Sequence, residues 1–403
     1  MDNSKKSKEK HIDIHSSYSN NHEDIKINID PSKEINPSSS AVILKELTKI
    51  EKNIETAYSF VMLGDKEVYK FYKPSNFGLV ENKLNNNRKK HTMYEADFNN
   101  KFSNGIYDEV MKIVRKNETK FDLVPMNNSL TAIDYIVKMK RVSDDSKLSN
   151  LIFNMTLTSD NAKLIGAEFF KILDNQRHIN CDPNEYYKYL KVLINDLLKY
   201  AEESISSINR HMMEGKDKLS DSNFNSIKES LLKDIDVLES EIKERAEKNL
   251  VIEGHGNARL KHVLFNSPHS CTINNEELKI GLMDTFVFSN RIRNLDILFD
   301  FATILIDFNI INNNHKISSF LINNNHNEYS DEHLKNVISK DYKLHFVNGF
   351  NSEYESKYEK INDSILEFYE NLAKLVRINE LLSYIKDANQ EWSFYNDLLN
   401  VNF

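Results

Sequence analysis

The chain predicts an α+β protein, a small β-rich unit followed by a large helical one. Three observations carry this: a hairpin pattern near residue 65, long amphipathic stripes beyond residue 160, and a shortage of turn residues. With only 9 Gly and 6 Pro in 403 residues, the sequence lacks the punctuation of a many-turned all-β sandwich. Its 22 Phe and 18 Tyr, within 40% hydrophobic residues overall, supply material for a sizeable core.

Residues 1–40 are rich in Ser, Asn, Lys and Asp, with apolar residues too scattered to pack, and predict a disordered tail. "AVILKELTKIEKNI" (41–54) has helical apolar spacing. "AYSFVMLGDKEVYKFYK" (57–73) reads as two strands around a Gly-Asp-Lys turn. "NNNRKKHTMYEADFNNKFS" (85–103) predicts a polar helix with Met93, Phe98 and Phe102 on one side, and "AIDYIVKMKRV" (132–142) a further strand. Helices follow at 161–175, 186–205 and 226–249, each with an i, i+3/i+4 apolar stripe. Next come a polar turn, "EGHGNARLKHVLF" (253–265), and a strand-like pair, "KIGLMDTFVF" (279–288). A buried helix at 292–311 and a long amphipathic helix at 361–387 complete the pattern. The division is a tail at 1–40, a β-rich unit at 41–137 and a helical unit at 138–403.

A formal net charge of −8 gives no general attraction to nucleic acid, so no nucleic-acid partner is expected. The two cysteines, Cys181 and Cys271, lie far apart and outside any CxxC spacing, which points to a reducing compartment and away from a zinc site. No apolar run reaches the roughly 18–20 residues of a membrane span, and the first residues lack a secretory signal. The expectation is a cytoplasmic protein without a transmembrane segment, and export by an uncleaved signal is compatible with it.

The order of units, together with "ETAYSFVMLGDKEVYKFYKPSNFGL" (55–79), "MYEADFNNKF" (93–102), His255-Gly256 of the polar turn, "GLMDTFVF" (281–288) and "RIRNLDILFDFATILIDF" (291–308), resembles the protein-kinase-like fold. The likeness is to its aminoglycoside/choline phosphotransferase branch, and it runs from about Ile54 to Ile385. It implies a two-lobe fold with a small β-rich N-lobe and a large helical C-lobe, binding ATP and Mg²⁺. By this resemblance Lys70 grips the nucleotide phosphates and Glu95 holds that lysine in place. Thr56 and Ser59 cover the phosphates from a turn that is not glycine-rich. Val137 to Met139 form the hinge that meets the adenine edge. Asp284 is the metal carboxylate, and Asp300 braces the catalytic loop containing His255. His262 stands at the second metal-ligand position, where an imidazole either ligates a second Mg²⁺ or, since that ion prefers oxygen donors, hydrogen-bonds the loop or the Asp284 segment. Lys73 is the competing lysine of the same strand. Asp296 falls to a structural carboxylate and Arg377 to packing or pairing.

The chain departs from the family pattern at Asn257, where an aspartate would accept the proton of the substrate hydroxyl. An asparagine can orient that hydroxyl but cannot take its proton. General-base catalysis is worth about 10²–10⁴ in rate, roughly 3–5 kcal/mol. Phosphoryl transfer depends mostly on positioning and charge neutralisation, so a slow enzyme survives such a change. Two readings stand. One is a phosphotransferase acting on a hydroxyl of a small molecule, a lipid headgroup or a protein. The other is a pseudokinase that binds nucleotide or docks a partner. Arg259 and Lys261 add positive charge to the loop, which suits an acidic or phosphate-bearing substrate or a solvated turn equally.

Overall fold

The computed structural model describes residues 37–387, except 57, 74–75, 78–79, 82–84, 104, 118–119, 212–221, 266–279 and 314–329. Nearly all of the expected 1–40 tail, and Cys271, lie outside the described residues. The first helix, α1 (Pro37–Leu47), is followed by β1 (Ile50–Glu55), β2 (Ser59–Gly64) and β3 (Glu67–Tyr72). The helix expected over 41–54 therefore ends at Leu47, and its last residues pair with β2 as a strand. The β2–β3 hairpin turns at the Gly-Asp-Lys expected for it. A short pair, β4 (Asn76–Phe77) and β5 (Val80–Glu81), leads to α2 (Asn85–Phe102), then β6 (Tyr107–Arg115), β7 (Phe121–Pro125) and β8 (Ala132–Lys140).

These strands form a six-stranded antiparallel sheet in the order β1-β2-β3-β8-β6-β7. Strand β8 lies between β3 and β6, so both edges of its backbone are hydrogen-bonded. Helix α2 packs on this sheet with a polar face inward. Arg88, Thr92, Glu95 and Asn99 are buried at successive turns, whereas Met93 is 40% exposed. Spacings of four, three and four residues put those polar groups on one stripe of the helix. The expected Met93–Phe98–Phe102 face is thus replaced, with Phe102 alone of the three fully buried.

The helical part contains α3 (Leu148–Phe153), α4 (Ser159–Asp174), α5 (Pro183–His211), α6 (Ser222–Val237) and α7 (Glu239–Glu247). The helix expected over 226–249 breaks at Leu238, and the redirected α7 carries Arg245 to a two-pronged ion pair with Asp296 at 2.7 Å. Then come β9 (Val251–Glu253), β10 (Val263–Phe265), β11 (Ile280–Leu282), α8 (Asn290–Arg293), β12 (Asn294–Asp296) and α9 (Ile297–Asn313). Strand β9 pairs with β12 and β10 with β11, so the polar loop 254–262 is tied at both ends. Residues 283–288, expected to extend a strand, leave the ladder after Leu282. The last described helices are α10 (Asp331–Ser339), α11 (Tyr342–Tyr354) and α12 (Asp363–Asp387).

A single apolar core runs through this part, with Phe301 stacked on Phe350 at 3.7 Å between ring centres. Helices α4 and α11 cross backbone to backbone. A Cβ on Gly166 would lie 2.0 Å from the Phe346 carbonyl oxygen, and one on Gly349 would lie 1.8 Å from that of Lys163. Among the described residues no helix is long and apolar enough to cross a membrane.

Candidate active site

Three chain segments meet at the amine of Lys70. Its side chain leaves β3 and is 11% exposed, and its Nζ lies 2.7 Å from Oε1 of Glu95 and 2.6 Å from Oδ1 of Asp284. Glu95 comes from the buried stripe of α2, and its other oxygen accepts the Tyr72 hydroxyl hydrogen. Burial opposes the charge on Lys70, but Asp284 and Glu95 more than offset it and hold its pKa well above the usual range. Burial pushes the Asp284 carboxyl up, yet Lys70 pulls it well below the usual carboxylate range. Lysine and aspartate therefore stay charged at neutral pH. Lys73, the competing lysine, instead pairs with Glu55 at 2.6 Å.

The Asp284 segment is fixed by the sheet and by α2. Its backbone N–H donates to the Tyr107 hydroxyl at 3.1 Å, and the N–H and hydroxyl of Thr285 both donate to Oδ1 of Asn99, at 2.9 and 3.0 Å. Asp284 has φ 63°, a left-handed conformation costly for a residue with a Cβ. Its side chain remains 37% exposed. Farther along, the Phe288 ring sits among Tyr58, Tyr72, His91 and Phe286, with ring centres 5.2–5.6 Å away. Tyr58 belongs to the β1–β2 turn, so this aromatic cluster joins that turn to the Asp284 segment.

The polar loop is held by Asp300, from the first turn of α9. Its two oxygens accept the backbone N–H groups of His255 and Gly256 at 2.6 and 2.7 Å. A Cβ on Gly254 would fall 2.3 Å from one of those oxygens, so only glycine lets the carboxylate approach this closely. Gly256 has φ 71°, which glycine adopts freely. Burial pushes the Asp300 carboxyl up to about 7, against the pull of the two amides. Asp300 thus positions the loop from behind. His255 is fully buried, with its ring edge-on to Phe102, and neither ring nitrogen has a hydrogen-bond partner among the described residues. Burial lowers its pKa to about 4, so it stays neutral. Expected among the catalytic residues, it packs beneath the loop instead.

Asn257 and His262 face the Asp284 segment. The Asn257 amide donates from Nδ2 to the Asp284 carbonyl at 2.8 Å, leaving its Oδ1 as an acceptor. Nδ1 of His262 lies 2.9 Å from the Asn257 carbonyl, which can only accept, so this nitrogen carries the hydrogen. Burial holds the His262 pKa well below the usual value, so Nε2 presents a lone pair. That lone pair lies 3.3 Å from Oδ2 of Asp284. Two acceptors facing each other in this way suit a cation held between them. Among the described residues no cluster of three or more His, Cys, Asp or Glu forms a ready-made metal cage, so other ligands would have to come from water or a bound phosphate.

Four expected contacts take another form. Thr56 and Ser59 engage each other, with hydroxyl oxygens 2.9 Å apart and the Ser59 N–H donating to Thr56 Oγ1 at 2.9 Å, so they stabilise the β1–β2 turn. Val137 and Met139 lie inside β8, where Val137 is paired with Lys70 and Val110, and Met139 with Val68 and Tyr107. Strands on both sides take up their backbone, and the chain leaves the sheet only after Lys140. The sequence reading missed Tyr72, Asn99 and Tyr107. The first and last stand within β-rich runs, and Asn99 falls on the same helical stripe as Glu95.

No family model matches the chain, and no curated protein matches it. Among solved structures, it is similar to an ethanolamine kinase of Plasmodium vivax, at TM-score 0.37 and 14% identity, over 90% of this chain and 84% of that one. It is also similar to a glucosamine kinase, at TM-score 0.36 and 9% identity, over 87% of this chain and 76% of that one. A glucosamine kinase in complex with glucosamine, ADP and inorganic phosphate gives TM-score 0.33 and 10% identity, over 86% and 74%. At this distance the functional reading rests on the side-chain geometry.

Proposed function

We propose that the protein is an ATP- and Mg²⁺-dependent phosphotransferase of the aminoglycoside/choline branch, acting on a hydroxyl acceptor, with α1 to β8 as the N-lobe and the chain beyond Lys140 as the C-lobe, so that the boundary expected at 137/138 moves to the end of β8. The observation that carries this is the meeting of Lys70 with both Glu95 and Asp284 beside a loop braced by Asp300. Lys70 would meet the nucleotide phosphates, with Glu95 fixing its position. Asp284, with His262, would hold the cation, whose chemistry is to neutralise charge on the phosphates. Asn257 Oδ1 would orient the acceptor hydroxyl without taking its proton. The adenine edge would fall to the stretch that follows Lys140. The acceptor would be a small molecule, a lipid headgroup or a protein in the cytoplasm.

A second reading, a pseudokinase that works by docking, draws support from Asn257 and from the direct Lys70–Asp284 pair. Thermal shift with millimolar Mg²⁺–ATP tests the nucleotide, and Asp284→Ala should abolish the shift. No shift in the parent protein would overturn every nucleotide-using role. A shift without transfer from labelled ATP to any acceptor would favour the docking reading.

A further inference from the structure

Behind the catalytic loop lies a second charged cluster, built from the loop, α9 and α12. Arg259 is 5% exposed, and its Nη1 reaches Glu380 at 3.3 Å. Arg377, equally enclosed, lies 3.5 Å from both Asp307 and Glu380. Asp307 is partly committed already, since it accepts the Leu260 N–H at 2.9 Å. Charge-assisted hydrogen bonds settle near 2.7–2.9 Å, so these arginine contacts are loose. Nε of Arg259 and Nε of Arg377 are buried with no hydrogen-bond partner among the described residues, and Nη2 of Arg377 has only its 3.5 Å ion contact with Asp307. Burial weighs most on the Lys261 amine, and beyond it the charges of Arg259, Glu380, Asp284 and Asp307 reach it. Three cations thus share Glu380, Asp307 and, through Lys261, Asp284, and buried guanidinium N–H groups are left over. Lys261 and Glu380 are partly exposed, as is Asn257 of the same loop, so the cluster has a solvent-facing side.

We propose that Arg259, Lys261 and Arg377 form a subsite for an oxyanion carried by the acceptor, which makes the substrate an anionic alcohol bearing a phosphate or carboxylate. This rests on the phosphotransferase reading for the word acceptor, whereas the anion site itself can be measured alone. Unused guanidinium donors recognise such oxygens by geometry as well as charge. Lys261 adds charge from a partly exposed position.

The test is calorimetric titration of the full chain with inorganic phosphate, and separately with acetate, using Lys261→Met and Lys261→Arg. Among the described residues Lys261 has no ion pair to break, so neither change threatens the fold through a lost partner. Binding of either probe that weakens about tenfold in Lys261→Met and persists in Lys261→Arg and Asp284→Ala supports the subsite. Absent binding, or equal binding in Lys261→Met, overturns it. Phosphate that displaces Mg²⁺–ATP would assign the cations to the nucleotide and also overturn it. Loss of the Mg²⁺–ATP shift with Lys261-dependent phosphate binding intact would instead remove the nucleotide reading and leave the anion site standing.

Discussion

Lys70 and Asp284, 214 positions apart in the chain, are joined by a 2.6 Å ion pair that ties the sheet to the loop region of the helical part. The same amine holds buried Glu95. Removing one partner of a buried pair leaves a charge without compensation. Lys70→Met should therefore cost about 3–5 kcal/mol, measured by urea unfolding. Adding Glu95→Gln should recover part of that loss, because the glutamine keeps an acceptor for Tyr72 without the stranded charge. A double variant no more stable than Lys70→Met would show that the pair contributes nothing specific.

Asn257→Asp restores a proton acceptor and removes the amide that donates to the Asp284 carbonyl. ATP turnover should rise at least about tenfold, within the range of general-base effects, while Tm falls by a few degrees. Turnover and melting measured on one preparation check both halves, and an unchanged rate would mean that residue 257 does not face the acceptor.

Gly254→Ala drives a methyl group into the Asp300 carboxylate that holds the loop. The backbone N–H groups of residues 255 and 256 should then exchange with deuterium faster, by an order of magnitude or more. Unchanged exchange would mean that the loop is held by its flanking strands alone.

Asp300 also sets a pH dependence. Burial raises its folded pKa to about 7, above the roughly 3.9 of an unfolded aspartate. Below about pH 4 the carboxyl is protonated in both states, and its contribution is fully present. Between about 4 and 7 the unfolded chain releases the proton more readily, so folded stability is lost as pH rises, and above 7 the loss is complete. Asp300→Asn removes this dependence. The Tm difference, parent minus variant, should shrink by about 2–4 °C from pH 5 to pH 7.5. A constant difference would place the Asp300 pKa in the ordinary range.

Gly166→Ala and Gly349→Ala each force α4 and α11 apart, because the new methyl group would overlap a carbonyl oxygen of the other helix. Each should cost about 1–3 kcal/mol or more by thermal or urea unfolding. The two together should cost less than their sum, since one displacement relieves both clashes.

Local patterns made much of this architecture legible. The hairpin around Gly64 showed in the β-rich runs on either side of it, whereas Asp284 was marked by the family resemblance, in a short apolar frame. Their meeting across the molecule needed the family resemblance, because spacing alone does not bring residues 70 and 284 together. The face of α2 was misread because Met93 and Phe98 are the apolar letters, whereas the helix buries Glu95 and Asn99 to satisfy groups on other elements. Strand β6 escaped notice because Asp108, Glu109, Lys112 and Arg115 interrupt its alternation. Val137 to Met139, expected as a hinge, lie inside β8, because that strand continues to Lys140 between two partners. The role of Thr56 and Ser59 depended on whether their hydroxyls turned inward, which no sequence period encodes.

The clasp of Phe288 among Tyr58, Tyr72 and His91 has a kinetic corollary. If a guest's route beneath the β1–β2 turn runs through that slot, its entry waits for the ring to leave, a unimolecular event whose frequency does not depend on how much guest is present. Observed association would then climb with concentration only to a plateau, and trimming Phe288 to alanine would lift the ceiling.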